Sequence, residues 1–316
     1  MKILAPADRL VEVRPLIDAG ADELYGGFIP SAWDETYGEV GSINKRTFQA
    51  AQFATIDELA KAVELSHGMG VRFYLTLNND FYTPKQMPAV LKLAQEAAAV
   101  GVDGLLVADL GLILELNKLR LPLELHLSIL SAVLNSQAAL FFKDLGVARV
   151  VLDRTLTVQE IAKVVANVPS LEFEAFVMYG KCPNIEGLCS FFHHDDPDHV
   201  WPCGRACELK PVPADNPEAA AAAAAQSGWA EAVRGNACGL CGVYDLMKAG
   251  LTAAKIAGRG RKTEHKLAAI AALKTIRDLT AMGASRVDVA KAARASHERL
   301  FDLPCSPYEC YFPAEG

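Results

Sequence analysis

The chain has 316 residues, of which 51% are hydrophobic and 22% are charged, a composition that excludes global disorder. Asp and Glu outnumber Lys and Arg by 38 to 31, and the net charge of -7 argues against broad, non-specific binding of nucleic acid. No apolar run reaches the length of a membrane span, and the first residues do not resemble a signal peptide, so we expect a cytoplasmic protein.

Strand and helix patterns alternate along the chain. Strands are predicted over residues 2–7, 23–27, 71–77, 104–108, 124–129, 148–152, 171–177 and 253–257. Helices are predicted over residues 9–19, 55–69, 88–100, 136–145, 157–167 and 263–282, with Thr55 and Thr157 as N-caps. Eight strands that alternate with helices predict an α/β fold, a TIM-like (β/α)8 barrel with a cysteine-rich metal-binding segment after strand 7. The alternative is a doubly wound open sheet, but no Gly-x-Gly-x-x-Gly fingerprint follows the first strand.

The chain divides into three parts. Residues 1–180 contain barrel strands 1–7, residues 181–250 contain the cysteine-rich segment, and residues 251–316 contain the last strand, the C-terminal helices and a cysteine-containing tail. In the middle part, the stretch from Pro211 to Asn236 includes seven consecutive alanines and is predicted to be a partly helical surface insertion. We attach no function to this insertion.

Polar residues stand at the ends of six predicted strands, where barrel enzymes carry their chemistry. They are Asn78, Asn79, Asp109, His126, Ser128, Arg154, Glu174, Lys255 and Arg259. Arg154, Lys255 and Arg259 would pair with an anionic group such as a carboxylate, for which Arg offers two parallel hydrogen bonds. His126 or Glu174 could move protons. We therefore expect these five as catalytic residues, although a structural hydrogen-bonding role is open for each one taken singly.

All eight cysteines lie at or after Cys182. In a cytosolic protein, clustered cysteines more often bind metal or do redox work than form disulfides. The first four are spaced C-x6-C-x13-C-x3-C directly after strand 7; they are Cys182, Cys189, Cys203 and Cys207. Four thiolates suit a 4Fe-4S cluster or a tetrahedral zinc ion, and the lack of a Cys-x-x-Cys pair in this segment favours the cluster. Nearby histidines offer alternative ligands: His193, His194 and His199.

Four further cysteines follow that segment. Cys238 and Cys241 form a Cys-x-x-Cys pair, and Cys305 and Cys310 lie near the end of the sequence. A Cys-x-x-Cys pair is compatible with a redox dithiol, a zinc site or half of a cluster site. The count of four plus four predicts a second metal centre on these four residues. The alternative is that Cys238 or Cys241 supplements the first centre and that the tail cysteines are free thiols.

The sequence around the first cysteines resembles the collagenase-like peptidase family U32. The matching segments are Glu174-Ala-Phe176, Cys182, Gly187-Leu-Cys189, Cys203-Gly-Arg-Ala-Cys207 and Lys255-Ile-Ala-Gly-Arg259. There are two departures from the family's pattern, because Tyr179 occupies a Gly position and Ala257 occupies the Glu position of Lys-Ile-Glu-Gly-Arg. The resemblance extends over about residues 1–275.

This resemblance implies a 4Fe-4S cluster on Cys182, Cys189, Cys203 and Cys207. It also implies oxygen-independent hydroxylation, which better-understood relatives perform on a tRNA uridine, a ribosomal-RNA cytidine or ubiquinone precursors, with prephenate as the linked source of the hydroxyl group. The family's peptidase name comes from collagenolytic activity. For that activity the sequence offers neither a Gly-x-Ser-x-Gly elbow nor a His-Glu-x-x-His helix.

We therefore expect an iron–sulfur enzyme that performs oxygen-independent hydroxylation, or related redox chemistry, on a small anionic or aromatic substrate. The expected partners are that substrate, an electron donor, and a protein of the same family or a second copy of the chain. The acidic balance disfavours nucleic acid as a partner. The alternatives are a collagenase-like peptidase with a metal site and a non-catalytic electron-transfer or accessory subunit.

Overall fold

A computed structural model describes residues 1–38, 41–182, 185–189, 236–307 and 309–312. In this part of the chain, eight parallel strands close into a barrel in sequence order. They are β1 (Lys2–Pro6), β2 (Glu23–Gly26), β3 (Arg72–Leu77), β4 (Gly104–Val107), β5 (Glu124–Leu127), β6 (Arg149–Val151), β7 (Glu172–Met178) and β8 (Ala253–Ile256). The pairing of β1 with β8 confirms the predicted barrel and excludes the open sheet. Cys203, Cys207, the three loop histidines and residues 211–235 of the predicted insertion lie outside the described residues.

Helices connect the strands. They are α1 (Leu10–Asp18), α2 (Ser31–Tyr37), α3 (Ile56–Gly68), α4 (Met87–Ala99), α5 (Leu110–Leu119), α6 (Ser136–Asp144), α7 (Val158–Asn167), α8 (Val243–Lys248), α9 (Thr263–Ala281) and α10 (Arg286–Phe301). Both predicted N-caps are confirmed, because Thr55 accepts the N–H of Glu58 and Thr157 forms a capping box with Glu160. The sequence patterns did not predict α2, α5 and α8, and they gave no bounds for α10, which is one of the expected C-terminal helices. No described helix is long and apolar enough to cross a membrane.

The main apolar core packs the helices against the barrel. Leu16 of α1, Leu59 of α3 and Ile270 of α9 are fully buried in one cluster with strand residues such as Ile3 and Leu24. Burying one such side chain stabilises the fold by about 1.5–3 kcal/mol. The core therefore holds the strand ends in fixed positions, and the loops that follow them converge on one face of the barrel.

The inside of the barrel contains a buried network of charges. Arg149 on β6 donates to both carboxylate oxygens of Glu23 on β2, at 2.5 and 3.0 Å, and its Nη1 lies 3.6 Å from Glu174 Oε2 on β7. The hydroxyl of Tyr74 on β3 donates to Glu23 at 3.1 Å. Burial alone would raise the pKa of Glu23, but Arg149 and Lys2 lower it to about 2. The network satisfies a guanidinium that would be costly to bury unpaired.

The C-terminal segment returns to the barrel beside the end of β7. Cys238 pairs antiparallel with Met178 and parallel with Cys310. The backbone N–H of Tyr311 donates to the carbonyl of Cys238 at 2.9 Å, and its hydroxyl donates to the carbonyl of Tyr179 at 2.6 Å. These bonds fix the segment next to the start of the cysteine-rich region.

Candidate functional site

A cavity of about 150 Å³ opens at the carboxyl ends of the barrel strands. Its described lining is rich in cationic side chains: Lys45, Arg46, Arg154, Lys181, Lys255 and Arg259. Glu186 is the one carboxylate among the described lining residues. Such an excess of positive charge in a partly enclosed site attracts anions.

Lys255 on β8 and Glu174 on β7 form a buried ion pair beneath the cavity. Lys255 Nζ lies 2.7 Å from Glu174 Oε1, and the two side chains are 3% and 0% exposed. The ammonium group also lies 4.3 Å from the ring centroid of Tyr25 and 5.4 Å from that of Phe176. Burial lowers the pKa of Lys255, and the Glu174 carboxylate partly offsets this effect. Lys255 lines the cavity, and its protonation therefore depends on the neighbouring carboxylate of Glu174.

Two guanidinium groups lie close together at the cavity wall. Arg259 Nη1 donates to Thr76 Oγ1 at 2.7 Å, and its Nη2 donates to the carbonyl of Asn44 at 2.6 Å. Gly27 makes room for Arg259, because a Cβ at that position would lie 2.4 Å from Nη1. Burial and the like charge of Arg259 lower the pKa of Arg46 to about 9, so Arg46 is still charged at pH 7. A bound anion would relieve this repulsion.

A second buried ion cluster fixes the loop that carries Arg259. Lys266 of α9 is fully buried and pairs with the carboxylates of both Asp8 and Glu12. The backbone N–H of Gly260, which follows Arg259, donates to Asp8 Oδ2 at 2.7 Å. The first and last βα connections of the barrel are therefore tied together at the rim of the cavity.

Arg154 connects the end of β6 to the cysteine-rich region. Its guanidinium carbon lies 3.9 Å from the ring centroid of Phe176, and its Nη1 lies 3.1 Å from Glu186 Oε2 and donates to the carbonyl of Gly180. Burial opposes its charge, but the carboxylate of Glu186 and the nearby acidic groups of Tyr311 and Cys182 raise the pKa of Arg154 overall. Arg154 is therefore charged and held against the segment that carries the first cysteines.

Cys182 and Cys189 both line the cavity, on either side of the short 3₁₀ helix Glu186–Leu188. Two thiols that line one cavity are the donor type required by an iron–sulfur cluster or by zinc. The described residues therefore fit half of the predicted four-cysteine site. Its other half, Cys203 and Cys207, lies outside the described residues.

The segment between these two cysteines is anchored on both sides. Lys45 Nζ donates to the carbonyl of Cys189 at 3.0 Å and pairs with Asp80. Gly187 packs so closely against the loop after β5 that a Cβ there would lie 2.7 Å from the Cβ of Ala132. These contacts set the position of Cys189 relative to the cavity.

The other four cysteines do not line the cavity. Cys238 is buried, Cys241 and Cys310 are half-buried, and Cys305 is exposed. Burial raises the pKa of Cys241 to about 11, and the neighbouring thiols of Cys305 and Cys310 add to this shift. Across the described residues, no three His, Cys, Asp or Glu side chains are placed so that they could hold a metal ion as they lie.

The structure brings together most of the residues predicted at the strand ends. Asn78, Ser128, Arg154, Lys255 and Arg259 line the cavity, and Asn78 Nδ2 donates to Ser128 Oγ at 3.2 Å. Glu174 lies beneath the cavity and contacts it through Lys255. The three cations predicted to bind an anion therefore share one site.

Besides Glu174, three of the predicted residues are absent from the described lining. The ring of His126 lies 4.4 Å from that of Tyr74 inside the barrel, and its Nε2 lies 3.2 Å from Glu124 Oε2. Asp109 caps α5 and accepts the backbone N–H of Tyr82. Asn79 donates to the carbonyl of Phe81 at 2.7 Å. Asp109 and Asn79 thus make local structural bonds.

Four charged residues of the cavity were not predicted from the sequence: Lys45, Arg46, Lys181 and Glu186. Lys45 and Arg46 come from the loop between α2 and α3, and Lys181 and Glu186 flank the first cysteine. A Lys-Arg pair in a loop on the carboxyl side of a barrel strand was a usable signal, because that side of the barrel carries the chemistry.

The family model of Peptidase family U32 matches residues 8–312. The chain belongs to this family. Among curated relatives, the tRNA hydroxylation protein P from Haemophilus influenzae is 27% identical to this chain over 209 residues. The match covers 65% of this chain and 42% of that protein. A 23S rRNA 5-hydroxycytidine synthase from Escherichia coli is 27% identical over 66% of this chain and 29% of that protein.

A collagenase from Porphyromonas gingivalis is 24% identical to this U32 chain over 65% of the chain and 49% of that protein. The chain thus spans less than half the length of these curated relatives. Among solved structures, an N-acetylneuraminate lyase from Fusobacterium nucleatum superposes with a TM-score of 0.51 at 10% identity, covering 94% of this chain and 81% of that one. This last likeness shows the barrel fold alone.

Proposed function

We propose that the chain is an oxygen-independent hydroxylase that depends on an iron–sulfur cluster and binds a small dicarboxylate, of the prephenate type, in the barrel cavity. The observation that carries the proposal is the meeting of six cationic side chains with Cys182 and Cys189 around one cavity. Relatives named for tRNA hydroxylation and for 5-hydroxycytidine synthesis in rRNA support the reaction class.

The cations come from separate elements, which suits a ligand with more than one carboxylate. Arg46 belongs to the loop between α2 and α3, Arg154 follows β6, and Arg259 follows β8. Arg259 is held by Thr76 and Arg154 by the ring of Phe176, so neither guanidinium must be ordered when the ligand binds. Preorganised side chains of this kind raise the affinity for a ligand, because less side-chain entropy is lost on binding.

Lys255 and Glu174 are the groups that we assign to proton transfer. The pair is buried, its two charged atoms lie 2.7 Å apart, and Lys255 lines the cavity. A proton that a ligand takes from Lys255 leaves behind a neutral amine, whose reprotonation Glu174 favours. His126 lies deeper in the barrel against Tyr74, so we assign it no contact with the ligand.

Cys182 and Cys189 would hold the cluster together with Cys203 and Cys207. A 4Fe-4S cluster bound there would supply one-electron redox chemistry beside the cavity. Two residues of the chain would shape the surroundings of the cluster. Lys45 anchors Cys189, and Arg154 places a positive charge nearby. Positive charge near a cluster raises its reduction potential.

The test is a pair of measurements on protein purified without oxygen. Iron and acid-labile sulfide should each amount to about four per chain and should be lost in Cys182→Ala and Cys189→Ala. Calorimetric titration with prephenate should show saturable binding that is lost in Lys255→Met and retained in Lys92→Met, which changes an exposed lysine of α4. Protein without iron, or wild-type protein that fails to bind prephenate, would contradict the proposal.

Two further experiments distinguish the competing substrates, one with purified protein and one by deletion of the gene. Cleavage of unfolded collagen by the purified protein would favour the peptidase alternative, which the relative named collagenase makes relevant. Loss of a hydroxylated tRNA or rRNA nucleoside on deletion of the gene would make RNA the substrate, with the small dicarboxylate as co-substrate. We expect neither result, because the acidic net charge of -7 gives the chain no general affinity for RNA and its cavity suits a small anion.

A further inference from the structure

His126 on β5 is a buried histidine that the cavity described above does not use. Its side chain is 0% exposed, and its Nε2 lies 3.2 Å from Oε2 of Glu124, whose side chain is 36% exposed. A carboxylate accepts hydrogen bonds, so Nε2 carries the ring proton and Nδ1 is an acceptor. This Nδ1 is buried and has no hydrogen-bond partner among the described residues. Burial lowers the pKa of His126, which keeps the ring neutral at pH 7.

A second unpaired acceptor lies in the same layer of the barrel interior. Side chains inside such a barrel form layers of four, taken from alternate strands, and the strand register assigns one layer to Leu4, Tyr74, His126 and Glu174. The ring centroids of His126 and Tyr74 are 4.4 Å apart, and Glu174 is the neighbour of His126 on the other side. In the described part of the chain, Oε2 of Glu174 has no hydrogen-bond partner, and it lies 3.6 Å from Nη1 of Arg149, the register partner of His126.

We propose that a proton relay crosses the barrel from the cavity to its amino-terminal mouth, through Glu174, one bound water, His126 and Glu124. The relay rests on the proton-transfer role proposed above for Lys255 and Glu174. The water lies between Oε2 of Glu174 and Nδ1 of His126 and donates one hydrogen bond to each. Buried waters typically pair with polar groups that lack other partners. Nη1 of Arg149, which is 3.6 Å from that Oε2, supplies a donor for the water oxygen.

The relay moves one proton in a chain of balanced transfers. Lys255 gives a proton to Oε1 of Glu174, 2.7 Å away, and rotation of the carboxyl group brings that proton to the water. The water takes it and passes one of its own protons to Nδ1 of His126, whose Nε2 proton then moves to Glu124. The hydrogen bond from His126 and the charge of Arg72 lower the pKa of Glu124 to about 2, so Glu124 releases the proton to solvent. The reverse sequence returns a proton to Lys255.

The two ends of this path differ in their access to water. Lys255 is 3% exposed and lines the cavity, so a ligand that fills the cavity separates Lys255 from bulk water. At the amino-terminal mouth, the side chains of Arg72, Glu124 and Glu172 are all partly exposed. A proton released beneath a bound ligand therefore has an exit through the barrel.

Exchange of the Lys255 ammonium protons with water, measured by NMR on protein with isotope-labelled lysine, tests the relay. In His126→Gln the amide can still hydrogen-bond to Glu124 and to the water but cannot take up and release a proton, and Glu124→Gln blocks the exit. Both variants should slow the exchange at least about 10-fold, and most strongly when malonate fills the cavity. His67→Gln is the matched control and should exchange like wild-type protein, because His67 pairs with Asp103 on the outside of the barrel.

The free protein and the malonate complex separate this inference from the proposed function. Exchange in free His126→Gln that is as fast as in wild-type protein would overturn the relay, whether or not malonate binds. Slow exchange in Glu124→Gln alone would also overturn it, because His126 would then have only a structural role. A cavity that binds neither malonate nor prephenate would contradict the proposed function, and the comparison in free protein would still decide the relay. Circular dichroism checks that each variant folds.

Discussion

Glutamine in place of Glu174 removes the charge that keeps Lys255 protonated beneath the cavity. The paired atoms lie 2.7 Å apart and both side chains are almost fully buried. At an effective dielectric constant of about 20, unit charges at this distance attract by roughly 6 kcal/mol, and breaking one side of a buried pair costs about 3–5 kcal/mol. Loss of this attraction should lower the pKa of Lys255 in Glu174→Gln. Burial already lowers that pKa, so the substitution adds to the effect of burial and favours the neutral amine.

Calorimetric titration with prephenate, and with malonate as a simpler dicarboxylate, between pH 6 and 9 measures this change. The affinity of wild-type protein should depend less on pH than that of Glu174→Gln, because Glu174 favours the charged form of Lys255. Glu174→Gln should bind at least about 10-fold more weakly at pH 8, and its affinity should recover as the pH falls and Lys255 takes up a proton.

The stability of the same variant should change with pH in the opposite direction. A lysine whose pKa is lower in the folded state binds fewer protons there than in the unfolded state. The unfolding free energy of the protein therefore rises with pH between the folded-state and unfolded-state pKa values of that lysine. Urea unfolding of Glu174→Gln should show destabilisation by about 3–5 kcal/mol near pH 6 that shrinks towards pH 10.

Glu172→Gln is the matched control on the same strand. Glu172 accepts a hydrogen bond from Arg149 at 2.8 Å, but its side chain is 48% exposed and does not line the cavity. It should show neither pH signature. Equal pH profiles for Glu174→Gln and wild-type protein, or the same profile in Glu172→Gln, would refute the assigned coupling of Glu174 to Lys255.

Three further substitutions test other parts of the structure. Arg154→Lys keeps a charge but loses the planar stack on Phe176, so malonate affinity should fall at least about 10-fold by titration; unchanged affinity would remove Arg154 from the ligand site. Lys266→Met leaves two carboxylates buried without their cation and should cost about 3–5 kcal/mol in urea unfolding, whereas Lys274→Met, at an exposed pair, should cost less than about 1 kcal/mol. Equal costs would contradict the buried cluster. Gly187→Ala should reduce bound iron because its methyl group would displace the cysteine segment, while Gly68→Ala, which meets nothing within 4 Å, should not; the reverse order of iron contents would argue against the anchoring of Cys189.

The barrel could be predicted from the sequence because its strands are short apolar runs between turn signals. Each predicted strand overlaps an observed one, and Thr55 and Thr157 mark helix starts by their side-chain hydrogen bonds. The helix α5 was not predicted because Leu110 and Leu114 on its exposed side are apolar, which obscures the helical pattern. Its cap Asp109 was consequently taken for a pocket residue.

The cavity was only partly predictable, because several of its charges are positioned by contacts distant in sequence. Lys45 adopts a φ of 62° in a loop, and its partners Asp80 and Cys189 come from other elements. Arg149 stands at the start of a strand, where a charged residue is ordinarily solvated, yet it is fully buried because Glu23 meets it across the barrel. No local sequence pattern predicts such ion pairs between distant residues.

The charge network inside the barrel also restricts how this fold can be divided. Its carboxylate Glu23 belongs to the first half of the barrel, and its guanidinium Arg149 to the second. A fragment that ended between β4 and β5, or a hybrid that took one half from another protein, would have to bury one of these charges without the other. Complementary fragments should therefore fold only together, and a lineage that replaces Glu23 should be found to have changed Arg149 as well.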